Sequence, residues 1–170
     1  MAKIKENEYH RFYKTYIDKA DTSKSVVENL QESFEDALTF FKDIPEEKHL
    51  YRYAEDKWSI KELLEHIIDA ERIFAYRALR IARNDKTDLS GFEENSYVEN
   101  ANSDSRDYQE LLEEFSYVRK STVFLFKNFS KQVMLQVGTI DGNEITVRAI
   151  GYVNSGHLLH HINIIKERYL

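Results

Sequence analysis

The chain has 170 residues, 42% of them hydrophobic and 13% aromatic, which is enough for one domain around one core and too few to expect two. Charged residues make up 32% of it, but both signs are interspersed and the net charge is -6, so the basic footprint of a nucleic-acid-binding protein is missing. There is no cysteine, which excludes disulfides, thiolate metal sites and a cysteine nucleophile, and no apolar run approaches the roughly 18 residues of a membrane span.

A soluble, cytoplasmic protein without a signal peptide is the expectation. One proline, Pro45, and five glycines leave few places for sharp turns and favour long helices over many short strands. No repeat or composition shift divides the chain, so residues 1–170 are read as one domain.

Residues 1–22 form an N-terminal arm that should pack on the bundle; its aromatics, in "EYHRFYKTYI", are read as packing groups rather than a substrate cage. The first helix is predicted over residues 23–43, with Val26, Val27, Leu30, Phe34, Leu38 and Phe41 at helical spacing. Ser59 followed by Glu62 has the form of a capping box and opens a second helix that runs to Arg83. Residues 84–107, rich in Asp, Asn and Ser, read as a long loop. A third helix is expected over residues 106–128. The β-branched residues flanking Asp141-Gly142-Asn143 predict a small hairpin, and a fourth helix starts near Thr146. The fold class is all-α, a four-helix bundle with an extended excursion before its last helix.

The last helix carries three of the six histidines. At about 100° per residue, Ile150, Val153, His157, His161 and Ile164 fall on one inward stripe, while His160 lies about 60° or more from the two inward histidines. Two inward imidazoles one turn apart can share a metal ion, but need a third ligand from another helix. His66, at the margin of the second helix's apolar arc, can complete the set if the second and fourth helices are neighbours. Taken alone it reads as an edge-of-core histidine bonded to a backbone carbonyl. His160 is read as a neighbour of the site, and His10 and His49 as surface residues.

Three further residues of the second helix draw notice. Asp69 is read as a solvated carboxylate, with orientation of His66 or a bound water as the sharper alternative. Arg77 is read as a surface residue, with anchoring of an anionic substrate as its alternative. Glu71 falls inside the apolar arc and needs a partner, either Arg148 or an arginine or tyrosine of another helix. No residue has a position that marks it as catalytic.

The stretch from Trp58 to Phe92, "WSIKELLEHIIDAERIFAYRALRIARNDKTDLSGF", followed much later by "GHLLHHINIIKERY", resembles the DinB/YfiT-like superfamily of metal-dependent enzymes. The resemblance spans residues 9–170. It implies a four-helix bundle, usually a homodimer, with three histidines on a divalent transition-metal ion, and the family pattern falls on His66, His157 and His161. Zinc or nickel is the first expectation for the ion, with iron and manganese also used in the family. The resemblance implies a small-molecule substrate and an S-transferase type of reaction with a low-molecular-weight thiol, such as bacillithiol, mycothiol or glutathione. A metal-dependent hydrolase is the second reading, and a metal-binding stress protein without turnover the third.

Overall fold

The computed structural model describes residues 3–170. Its helices are α1 (Lys14–Ile17), α2 (Val26–Lys42), α3 (Ile60–Ala82), α4 (Glu94–Ala101), α5 (Tyr108–Lys127), α6 (Lys131–Met134) and α7 (Val147–Arg168). The strands are β1 (Asp88–Leu89), β2 (Val137–Ile140) and β3 (Asn143–Thr146). Helices α2, α3, α5 and α7 form the expected four-helix bundle, and the small sheet is the excursion that precedes α7.

Side chains that satisfy free backbone N–H groups set the helix starts. Ser59 and Glu62 form the anticipated capping box, with Glu62 N–H on Ser59 Oγ at 3.1 Å and Ser59 N–H on the Glu62 carboxylate at 2.7 Å. Ser25 and Glu28 form a second such box, which starts α2 at Val26 rather than at residue 23. Asp107 caps α5 and Thr146 caps α7.

Around the bundle the neighbours run α2, α7, α3, α5 and back to α2. Helices consecutive among these four, α2 and α3, are therefore diagonally opposite, as are α5 and α7. Their connections, residues 43–59 and 128–146, each cross one end of the bundle. The same order places α3 beside α7, the packing on which a three-histidine cluster depends.

The segment 84–107 is more ordered than its composition predicts. It holds β1, which pairs in parallel with β2 through Asp88↔Thr139 and Leu89↔Ile140, and it holds α4, which buries only Val98 against the body. One apolar anchor in a helix of Asn, Ser and Glu leaves too weak a period to read from sequence. The hairpin of β2 and β3 closes between Ile140 and Asn143 on Asp141 and Gly142, whose φ values of 47° and 72° suit a type I′ turn.

Two buried ion pairs join parts of the molecule that are distant in sequence. Glu71 pairs with Arg119 of α5, not with Arg148. The Arg119 Nε lies 2.8 Å and 2.9 Å from the two carboxylate oxygens, and its Nη1 donates to the Leu30 carbonyl and to Ser33 Oγ, each at 3.0 Å. Arg148 instead pairs with Glu8 of the arm, whose carboxylate also accepts from Thr146 Oγ1 at 3.2 Å. The described part of the arm lies against the bundle through α1 and α7. Its α1 reaches α7 where Gly156 has no side chain, since a Cβ there would stand 1.9 Å from the Tyr16 carbonyl oxygen.

Both Glu71 and Arg119 are fully buried, so removing one leaves an uncompensated charge in the interior. Glu71→Ala is expected to cost about 3–5 kcal/mol in urea unfolding, and replacing both residues with leucine to recover much of that loss. A single substitution costing under about 1 kcal/mol would show that the pair is not a structural clamp.

Candidate metal centre

Helix α7 is covered on nearly all sides over its first half, with Val147 to Leu158 all buried. His157 and His161 face α3 from it, and His66 faces them from α3. The Nε2 atoms of His66 and His157 are 3.1 Å apart, and those of His161 and His157 are also 3.1 Å apart. One nitrogen from each ring can be chosen so that all three lie within 4.8 Å of one another. Beyond His161 the buried side of α7 continues through Ile162 and Ile165, while Ile164 is half-buried.

All three rings are held in the neutral form. Burial lowers the His66 pKa to about 4, and nearby His160 adds to the shift. Burial also pushes His157 and His161 well below the ordinary histidine range, with mutual repulsion among the rings adding to it. A neutral imidazole nitrogen carries either one proton or one in-plane lone pair. The single Nε2 of His157 faces two others at contact distance and cannot serve both with one proton.

A cation between the three resolves that conflict, because each lone pair then has a positive partner. Bonds of about 2.0–2.1 Å around a tetrahedral ion put its nitrogens about 3.4 Å apart, close to the two separations of 3.1 Å that His157 makes, while the three nitrogens together lie within 4.8 Å. The donor set therefore fits a first-row divalent ion. One feature departs from the usual pattern: His161 Nδ1 is buried without a hydrogen-bond partner among the described residues, so no carboxylate or carbonyl orients that ring.

Aromatic edges hold the rings in place. Trp58 lies 4.8 Å from His66, and Tyr16 and Phe74 stand edge-on to His157 at 5.3 Å and 5.6 Å between centroids. His160 is half-buried beside Tyr16 and outside the cluster, as the helical angle required.

A cleft of about 170 Å³ opens beside His66 and His157. Tyr13 and Tyr16 of the arm, Phe74 of α3 and Phe92 wall it, and Arg77, Glu94 and Asp141 supply its charges. The arm's aromatics thus do more than pack. Nothing in the sequence points them at the histidines except Gly156, which permits the close approach. Glu94 is exposed at the edge of the cleft, and the desolvation it meets there raises its pKa, with neighbouring Glu93 adding to it.

Three expectations need correction. Arg77 is 5% exposed and lines the cleft, because the segment 86–92 folds over it. His49 is half-buried, stacked on Tyr108 at 3.6 Å with its Nε2 3.2 Å from the Ile44 carbonyl oxygen. Asp69 is half-buried and faces Arg72 at 3.5 Å, without a hydrogen bond to His66 among the described residues.

Residues 29–165 match the sequence profile of the DinB superfamily. The fold is similar to that of YfiT from Bacillus subtilis, described as "a probable metal-dependent hydrolase with an unusual four-helix bundle topology". That likeness has a TM-score of 0.68 at 14% identity and covers 98% of this chain and 89% of the other. A DinB-like protein of Bacillus subtilis, YjoA, is similar with a TM-score of 0.58 at 18% identity, over 84% of this chain and 87% of that one. At these identities the likeness is one of fold. No curated protein matches the sequence. No helix among the described residues is long and apolar enough to cross a membrane.

Because the folded protein keeps His66 neutral to about pH 4 while an unfolded histidine protonates near 6.5, unfolding takes up protons between those values. The contribution of His66 to the stability of the metal-free protein is therefore complete above about 6.5 and lost progressively as the pH falls toward 4. Urea midpoints measured across that window should fall, and fall less steeply in His66→Gln. Equal slopes in the two proteins would contradict the burial of a neutral ring at His66.

Proposed function

The chain belongs to the DinB superfamily, and from that membership and its convergent imidazoles we propose a metal-dependent enzyme in which His66, His157 and His161 hold one divalent transition-metal ion. The observation that carries this reading is His157 Nε2, set 3.1 Å from the same atom of both other rings. A divalent ion there supplies Lewis acidity, which makes a thiol or a water molecule easier to deprotonate.

The chain's own residues account for the rest. Tyr16 and Phe74 stand against the His157 ring, and the aromatic walls of the cleft favour a small substrate with an apolar body. The reaction proposed first is transfer of a small-molecule thiol to an electrophile in the cleft. The chain has no cysteine, so the sulfur has to come from outside. Hydrolysis is the second reading. It is favoured by Glu94, whose raised pKa suits a carboxyl that moves a proton to or from water, and by the description of YfiT.

Protein purified without a histidine tag and without chelators is expected to hold about one first-row ion per chain by elemental analysis, and His66→Ala and His157→Ala to lose it. Protein that stays empty after exposure to zinc, nickel, iron and manganese would end the metal reading. Glu94→Gln separates the two reactions. It should lower a hydrolytic rate by about 10²-fold or more, and leave thiol transfer to an electrophile within a few-fold.

A further inference from the structure

Arg77 presents a problem that the metal reading leaves unsolved. Its side chain is buried, with 5% exposure, and it sits on the same cleft as His66 and His157. Its guanidinium has five N–H donors. Among the described residues it makes one hydrogen bond, from Nη2 to the Ser90 carbonyl at 2.5 Å, and a long contact with the Phe92 ring at 5.8 Å. No carboxylate among the described residues comes within 4.0 Å of it. The other two buried arginines, Arg119 and Arg148, each have a glutamate.

The acidic side chains that share the cleft favour the Arg77 charge from a distance but do not bind it. Asp141 acts on Arg77 through its charge while its Oδ1 accepts from the Gly91 N–H at 2.8 Å, and neither it nor Glu94 forms an ion pair with Arg77 among the described residues. A buried cation without a carboxylate in direct contact is costly, and proteins keep such a group where a ligand completes it. Desolvation disfavours the charged form of Arg77, yet a guanidinium does not give up its proton at any ordinary pH, so the cost persists until an anion arrives.

We propose that Arg77 is the specificity residue of the cleft and binds a carboxylate carried by the substrate or cosubstrate, whose apolar body lies among Tyr13, Phe74 and Phe92. A monoanion fits better than a phosphate dianion, because Glu94 and Asp141 already put negative charge at the same cleft. The planar fork of an arginine matches a carboxylate in two parallel hydrogen bonds. As a substrate class this rests on the metal-dependent reading, but the binding itself does not require an ion.

The test uses the metal-free full-length protein with benzoate, phenylacetate and 3-phenylpropionate, each beside its uncharged amide and beside phenyl phosphate. Kd values come from ligand-observed NMR. At least one carboxylate is expected to bind, about tenfold or more tighter than its amide and tighter than phenyl phosphate. Arg77→Gln should lose about tenfold or more of that carboxylate affinity while amide binding, the helical circular dichroism and the metal content after loading stay unchanged. Arg77→Lys, which keeps the charge but not the fork, should fall between the two. The proposal is overturned if none of the carboxylates binds, if amides or phenyl phosphate bind as well as carboxylates, or if Arg77→Gln leaves carboxylate affinity intact. Failure of both proteins to take up metal would end the metal reading alone, since the carboxylate comparison is made without metal.

Discussion

Three neutral imidazoles packed into the interior of one small bundle are the constraint on which the rest depends. Each ring gives up its hydration on burial, and among the described residues none of the three gains a carboxylate to replace it. With His157 Nε2 between two other nitrogens, hydrogen bonding within the cluster cannot satisfy all three. The arrangement makes physical sense as a set of ligands waiting for a common cation. The cost of keeping it assembled falls on the surrounding structure.

That structure distributes the cost among a few strong anchors. The ring order α2, α7, α3, α5 puts His66 opposite His157 and His161, and the diagonal connections follow from it. The Glu71–Arg119 pair, with its two bonds to α2, ties three of the four helices together around the middle of the bundle. Glu8 and Arg148 fasten the arm, and Gly156 lets α1 lie against α7 so that Tyr16 meets the His157 ring. The same arm and the segment 86–92 then shape the cleft beside the histidines. A rigid bundle thus presents the nitrogens, while shorter segments decide what can reach them.

What the sequence discloses divides along the range of the interactions involved. Periodicity and caps are local, and they placed the four long helices, the capping box at Ser59 and the inward turn of His157 and His161. His66 required a second kind of signal, a family resemblance, because its role depends on which helices are neighbours. Glu71 announced by its position that it needed a partner, but Arg119 is 48 residues away and no pattern links the two. Leu89 pairs with Ile140 across a comparable gap, so β1 was invisible, and α4 hid behind a composition that usually means loop. Arg77 was misplaced on the surface for the same reason: the segment that covers it folds back from beyond the end of its helix. Its environment, rather than its helical angle, makes it chemically unusual.

We propose that these three imidazoles form the inner coordination shell of one ion. X-ray absorption at the edge of the metal that the protein retains tests it most directly, because imidazole rings leave a characteristic multiple-scattering pattern beyond the first shell. Three rings around the ion are expected, with nitrogens at about 2.0–2.1 Å if it is zinc, falling to two in His66→Ala protein that has been forced to reload. A spectrum of oxygen ligands without imidazole, or one that His66→Ala leaves unchanged, would contradict the account.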